Sequence, residues 1–297
     1  MKVKKTLLVL AALSAPCVAF AADDATASDS TLYLSIRRAS LDWSKTDVKN
    51  ARAYQDSPVA ALNADSQDFI KGTLDTALEY NFNRFKWDNS LFMEYGKTTL
   101  RPYDEPKTVS ENADDILLSS DLSWAAWNFS GLKFGPTVRA AYDTEFEPAN
   151  GVPRQNLVRG GAGLSLFDHP IIRSLYVTGL YEYDFTYSDD KVNKYGVEGG
   201  WRLEYELREG VKFSTNGYYR EYLHFSSYLP TDLERDFSAV ARMDTNLWGN
   251  FTMGPYVQYR LAKARGADVY GSNFMMGISV GYINKFGLIT PADKISE

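Results

Sequence analysis

The chain has 297 residues, a formal charge of −6, 14% aromatic side chains and a mean hydropathy of −0.33. That acidity excludes a nucleic-acid binder by default. A single cysteine, Cys17, excludes an internal disulfide framework and a Cys-based metal centre.

Lys2, Lys4 and Lys5 precede a stretch from Thr6 to Val18 that is apolar apart from Ser14, Pro16 and Cys17. Ala19-Phe20-Ala21 then supplies a small-x-small cleavage site, followed by Asp23 and Asp24. This is the pattern of a cleaved secretory signal peptide, residues 1–21. The apolar stretch is too short to span a membrane as a helix. A lipoprotein anchor at Cys17 is the rival reading, and Pro16 beside the cysteine argues against it. Cleavage removes three lysines, the cysteine and no acid, moving the formal charge to −9.

Period-2 alternation dominates the rest. Ile70, Gly72, Leu74, Thr76, Leu78, Tyr80 and Phe82 alternate with Lys71, Thr73, Asp75, Ala77, Glu79 and Asn81. After Asn83-Arg84 the pattern resumes: Phe85, Trp87, Asn89, Leu91, Met93 and Tyr95 against Lys86, Asp88, Ser90, Phe92 and Glu94. Such alternation gives one wet and one apolar face, over a length that suits a tilted membrane strand. It predicts strands at 32–43, 68–82, 85–99, 114–128, 131–144, 155–167, 172–187, 192–207, 211–225, 234–247, 251–263 and 270–286.

Tight turns are expected at Asn83-Arg84, Phe129-Ser130, Asp168 to Ile171, Arg208-Glu209-Gly210 and Trp248-Gly249-Asn250. Longer connections fall between them, with Ser188 to Lys191 the short exception. Short turns at one rim and longer loops at the other imply an all-β fold, a closed antiparallel transmembrane β-barrel of about twelve strands. Aromatics near the turns (Phe82, Phe85, Trp124, Phe129, Phe167, Phe213, Trp248 and Phe251) are expected to form a girdle at the lipid headgroups.

The last strand, Phe274, Met276, Ile278, Val280, Tyr282 and Phe286 on one parity, resembles the terminal signature of Gram-negative outer-membrane proteins. That resemblance implies a barrel over 22–286, recognition of the segment Phe274 to Phe286 by barrel-assembly machinery, and a porin-like architecture in the cell outer membrane. Residues 287–297 then form a short periplasmic tail. The segment KWDNSLFMEYG (86–96) resembles outer-membrane barrel families of unknown function, over too short a stretch to carry residues across. Expected partners are outer-membrane lipid and lipopolysaccharide, with a small polar solute in the lumen. The acidic loop pairs Asp104-Glu105 and Asp189-Asp190 read as solvated charge or as contacts to lipopolysaccharide through divalent ions.

Charge at the bilayer midplane must face inward. Parity and distance from the turns predict a lumen belt of Asp75, Glu94 and Asp121, then Arg139 and Arg159, then Glu182 and Glu198, then Arg220, Arg242 and Arg260. Acidic and basic blocks facing across a narrow pore would give a transverse field that orients polar solutes. The competing reading is a salt-bridge network that closes the lumen. Arg220, Arg242 and Arg260 form a candidate ladder for carboxylate or phosphate groups. Tyr176, Tyr218 and Tyr222 are candidate lumen aromatics that either guide solutes or fill space.

The connection from Ser44 to Gln67 is the longest, reads as partly helical, and either folds into the mouth or remains a solvated loop. His224 and Ser226 resemble the histidine–serine motif of outer-membrane lipases. Parity places His224 inward, the flanking residues differ, and no orienting partner is identified, so no catalytic residue is expected. His169 reads as a turn residue. No cofactor or metal is expected. The functional expectation is a narrow channel for small polar solutes, with a closed surface-interaction barrel as the alternative and a lipid-modifying enzyme third.

Overall fold

The computed structural model describes residues 30–63, 68–100, 108–148 and 153–290. The predicted signal peptide, Asp104-Glu105 and the end of the tail lie outside these residues. The strands are β1 Thr31–Lys49, β2 Asp68–Phe82, β3 Phe85–Leu100, β4 Thr108–Trp124 continued by Trp127–Phe129, β5 Leu132–Thr144 and β6 Asn156–Phe167. They continue as β7 Ile172–Asp184, β8 Val192–Arg208, β9 Val211–Phe225, β10 Leu233–Trp248, β11 Phe251–Ala264 and β12 Gly271–Ile289. Each pairs antiparallel with its sequence neighbours, and β1 pairs with β12 from Leu32↔Ile289 to Lys49↔Ser272. Both pieces of β4 pair with β5, so the chain forms one closed barrel of 12 strands.

Closure satisfies the backbone at every strand edge, the condition for spanning hydrocarbon. The side chains follow the alternation. Leu41 and Trp43 are 68% and 72% exposed on the outside, while Asp42 between them is fully buried. Apolar residues outside and polar ones inside invert a soluble protein. No described helix is long and apolar enough to cross a membrane, so the strands do the spanning.

Among several register shifts, two change which way a charged or candidate residue faces. The register shifts between Ile36 and Arg38. This lets consecutive arginines both face inward: Arg37 bonds to Glu79 and Asp88, and Arg38 to Asp244. Without it, one guanidinium would face lipid. A second shift between Tyr222 and His224 leaves Tyr222 buried inside and pairs His224 with outward Tyr195, ring centroids 5.9 Å apart. The inward placement of His224 expected from parity is therefore corrected.

β1 runs to Lys49, six residues beyond its predicted end at Trp43. Ser44 and Thr46 stay inward and buried, while Lys45 and Asp47 are exposed. Above the membrane both faces are polar, so hydropathy no longer reports the alternation. The strand turns at Asn50, whose φ is 61°, into a 3₁₀ turn (Ala51–Tyr54) and a short helix, α1 (Ala60–Asn63). This segment folds into the mouth. Tyr54 and Leu62 are buried against Ala262, Ala264 and Ala267, with Val59 and Leu233 alongside. The Tyr54 hydroxyl is 2.9 Å from the carbonyls of both Ala262 and Val269, and the Asn273 amide donates to the Ala61 carbonyl at 2.7 Å. Gly271 is required here, because a Cβ would lie 2.7 Å from the Tyr54 ring.

The opposite rim has tight turns with positive φ at Asn83, Ser130, Gly131, Asp168, Gly210 and Gly249. The β4–β5 turn is Ser130-Gly131, one residue later than expected. Phe82 stacks on Phe85 at 5.3 Å, Phe85 on Trp124 at 6.5 Å, and Trp248 packs on Phe251 at 5.4 Å, as a girdle requires. Phe167 is the exception: it is buried inside, because inward positions on β6 are odd-numbered. At the other end of the chain β12 continues to Ile289, so Gly287 to Ile289, expected in the tail, belong to the last strand.

Asp168 clamps this rim. Its carboxylate accepts from Lys86 and Lys133, both at 2.8 Å. Partial burial opposes ionisation, but the two ammonium groups win and hold its carboxyl below the usual carboxylate range. Asp168→Asn preserves the tolerance for positive φ and removes only charge. The substitution is expected to cost about 1 kcal/mol at neutral pH in urea unfolding followed by tryptophan fluorescence. A depressed folded-state pKa stabilises above the unfolded value, about 3.9, and loses that contribution as pH falls through the folded one. The difference between wild type and Asp168→Asn should therefore vanish in acid; a difference that grows there would remove the clamp.

Candidate functional site: the charged lumen

All ten residues of the predicted belt face inward, but they do not form opposed walls. Each arginine lies beside a carboxylate on a nearby strand. Arg159 donates from Nε to Glu182 and from Nη1 to Asp143, both at 2.6 Å. Lys194 reaches Glu182 at 3.0 Å, Asp184 at 2.9 Å and Asp232 at 2.8 Å. Glu182 is only 2% exposed and also accepts from the Tyr222 hydroxyl at 2.6 Å.

A second cluster joins β4 to β11. Arg139 donates from Nε and Nη2 to the two oxygens of Asp121, at 2.8 and 3.2 Å. Its Nη1 lies 3.5 Å from Glu198, which also accepts from Arg220 Nε and from the Tyr176 hydroxyl at 2.7 Å. Arg260 grips Asp236 through two bonds of 3.1 and 3.0 Å. The guanidinium of Arg139 stacks on Tyr176 at 3.5 Å and that of Arg220 on Tyr218 at 3.8 Å. Tyr218 in turn donates to Asp236 at 3.0 Å. The three lumen tyrosines are therefore tied into the ionic network rather than forming a free aromatic track.

The other side of the lumen is more filled. Lys71 donates to Glu94 at 2.7 Å and to Gln258 at 2.9 Å. Arg242 stacks on Tyr256 at 4.6 Å and lies 3.6 Å from Asp42. Asp75 on β2 sits in register with Arg38 on β1. Phe69, Ala113, Tyr256 and Met275 form an apolar cluster beneath the mouth segment. The expected arginine ladder is thus taken up internally: Arg220 and Arg260 by carboxylates, Arg242 by the Tyr256 face and the field of Asp42.

Arg37, Arg38, Asp42, Lys71, Glu79, Asp88, Asp143, Asp184, Lys194, Asp232, Asp236 and Asp244 extend the network beyond the predicted belt. Their parity is visible in sequence. Their relevance is not, because counting height from the turns selects one level, whereas long side chains bridge several. With these residues included, the charges interleave and the expected transverse field gives way to local pairing.

His224 and Ser226 lie at the top of β9. The Ser226 hydroxyl accepts the backbone N–H of Asn193 at 2.9 Å. Among the described residues no hydrogen bond joins His224 to Ser226. The His169 ring nitrogen Nδ1 accepts backbone N–H groups of Ile171 and Ile172 within its turn, at 3.2 and 3.4 Å. No cluster with metal-ligand composition occurs among the described residues.

A closed barrel with an ionic interior, an apolar exterior and aromatic girdles defines an outer-membrane β-barrel, and the protein resides in the cell outer membrane. No protein-family model matches the chain, and no curated protein sequence matches it. Among solved structures it resembles outer membrane phospholipase A from Escherichia coli, with TM-score 0.44, 14% identity, 82% of this chain and 89% of that one covered. It also resembles an outer membrane channel from Pseudomonas putida, with TM-score 0.40, 11% identity and coverages of 88% and 97%. A third is the outer membrane channel DcaP of Acinetobacter baumannii, with TM-score 0.42, 8% identity and coverages of 88% and 99%. These likenesses are to the barrel alone; no residue role or activity carries across.

Glu182 offers the sharpest test of the network. Glu182→Leu leaves Arg159 and Lys194 short of a shared buried partner and is expected to cost about 3–5 kcal/mol. The readout is the urea midpoint of the heat-modifiable folded band on a gel. A shift no larger than that of an exposed outer-loop substitution would show that the pairs contribute little.

Proposed function

We propose that this barrel is a narrow channel for small polar solutes, with the interleaved charge pairs as its mixed-charge constriction and the segment 50–63 narrowing its mouth. The observation that carries this reading is the uneven filling of the lumen. Apolar groups and the mouth segment occupy the side made by β11, β12, β1 and β2 and reach the upper part of β4. A cavity of about 100 Å³ remains at belt level, beside Arg139, Glu198 and Arg220. Its lining sets three arginines and two carboxylates among small residues, Leu117, Leu180 and two tyrosines, a mixed wall with charged groups to meet a polar solute. Near balance of inward charge favours weak ion selectivity.

A closed surface-interaction barrel is the second reading. It is favoured by the depth at which the pairs are packed: Lys71 and Lys194 are 1% and 4% exposed. No catalytic role is proposed for His224 and Ser226. The second bulge does turn His224 toward the lipid side, but the Ser226 hydroxyl is engaged by backbone and lacks an imidazole base within hydrogen-bond reach.

Planar-bilayer recording separates these readings. The wild-type barrel is expected to give small, weakly selective steps. Tyr54→Ala, which releases the mouth segment, is expected to raise the step size severalfold. Silence in both proteins would remove the channel and leave the closed barrel. Hydrolysis of detergent-dispersed phospholipid that disappears in Ser226→Ala would overturn the non-catalytic assignment.

A further inference from the structure

The cavity beside Arg139 holds more hydrogen-bond donors than its own carboxylates absorb. Both oxygens of Asp121 are gripped by Arg139, and both oxygens of Glu198 accept bonds, from Tyr176 and Arg220. The guanidiniums are not saturated. Arg139 Nη1 is buried, lies 3.5 Å from Glu198 as an ion pair and makes no hydrogen bond. Arg159 uses Nε and Nη1. Arg220 uses Nε, and its Nη1 lies 3.8 Å from Asp236, beyond hydrogen-bond range.

Three arginines and two carboxylates line the cavity, together with Tyr176, Tyr218, Leu117 and Leu180; Arg159 is already met by Asp143 and Glu182, so the unmet donors are those of Arg139 and Arg220. A guanidinium cannot relieve an unmet N–H by losing its proton. A buried donor without an acceptor invites a water or a ligand oxygen. The phenol rings beneath Arg139 and Arg220 hold the two guanidinium planes in place, an arrangement lysine would not reproduce. What the cavity lacks is a small, acceptor-only group of negative charge.

We propose that this cavity is a binding subsite for small monocarboxylates of acetate to lactate size, held by Arg139 and Arg220. Its role as a transit site rests on the channel reading; binding itself does not. Glu198 is then an internal competitor, because its carboxylate occupies Arg220 and faces Arg139. A solute carboxylate takes the donors that Glu198 leaves unmet.

The experiment is calorimetric titration of the folded, detergent-solubilised barrel with sodium lactate and sodium acetate at constant ionic strength. Acetamide serves as the neutral analogue and sulfate as the competing anion. Saturable carboxylate binding is expected, with none for acetamide. Arg139→Gln should weaken it about tenfold or more, the loss of a charge-assisted bond. Glu198→Gln should strengthen it, by freeing both arginines. Damage to the fold would weaken both variants, so the opposite signs distinguish a site from a structural network. No saturation, equal binding of acetamide, sulfate binding as well as lactate, or weakening in Glu198→Gln would each overturn the assignment. Binding without conductance would remove the channel and keep the subsite; conductance without binding would do the reverse.

Discussion

Hydrocarbon offers no water to an unpaired strand edge, and this chain meets that constraint by pairing β1 with β12 along nearly their whole lengths. Everything else inherits its direction from that closure. Once the sheet is a cylinder, each side chain faces either lipid or lumen, and a slip of one residue exchanges the two faces for a whole strand. Asp75 or Arg220 in lipid would cost several kcal/mol each. The ionic residues thereby fix register as much as the apolar ones do. The bulge at Arg38 belongs to the same logic: it breaks the period of two where keeping it would place a guanidinium in the membrane.

Desolvating this many charges in one lumen is costly unless each finds a partner and its remaining donors and acceptors are met. The hairpin order supplies partners locally. Arg159 and Glu182 are directly opposed across β6 and β7, as are Asp121 and Arg139 across β4 and β5. Others bridge over intervening strands: Arg38 on β1 reaches Asp244 on β10. Such bridges tie non-neighbouring strands through the interior, which backbone pairing cannot do. They also leave little net field, because each positive group is shielded by the negative group it binds.

Much of this architecture was legible in the chain. Alternation marked all twelve strands, since the membrane demands contrast between the faces exactly where hydropathy can be read. Legibility stopped where that contrast stopped. The upper part of β1, from Ser44 to Lys49, is polar on both faces apart from Val48, so alternation carries no strand signal there. Parity places His224 inward, because a bulge adds a residue without leaving a compositional mark. Phe167 was assigned to the girdle from its distance to a turn, although its parity already pointed inside. The belt residues were found by direction and height, but their pairing was not, because a guanidinium reaches across more than one strand and level. The mouth segment shows the same limit. Tyr54 and Leu62 are unremarkable in sequence, and only the inward alanines of β11 and the missing side chain at Gly271 make a seat for them.

The two sides of the lumen therefore have different physical characters. Beside β1, β2, β11 and β12, Phe69, Tyr256 and Met275 form one apolar cluster and the mouth segment packs on the alanines of β11 in another, so the space is filled by packing. Beside β4 to β9 the inward positions alternate long ionic side chains with Ser119, Ala141 and Gly161, and space remains between them. Small residues there do not lower the polarity of the wall; they leave the guanidinium edges uncovered. Filling a barrel of this diameter evenly would have needed bulk at those positions. Its absence beside Arg139 and Arg220, where donors outnumber the acceptors they meet, makes the unfilled volume a chemical feature and not merely a packing remainder.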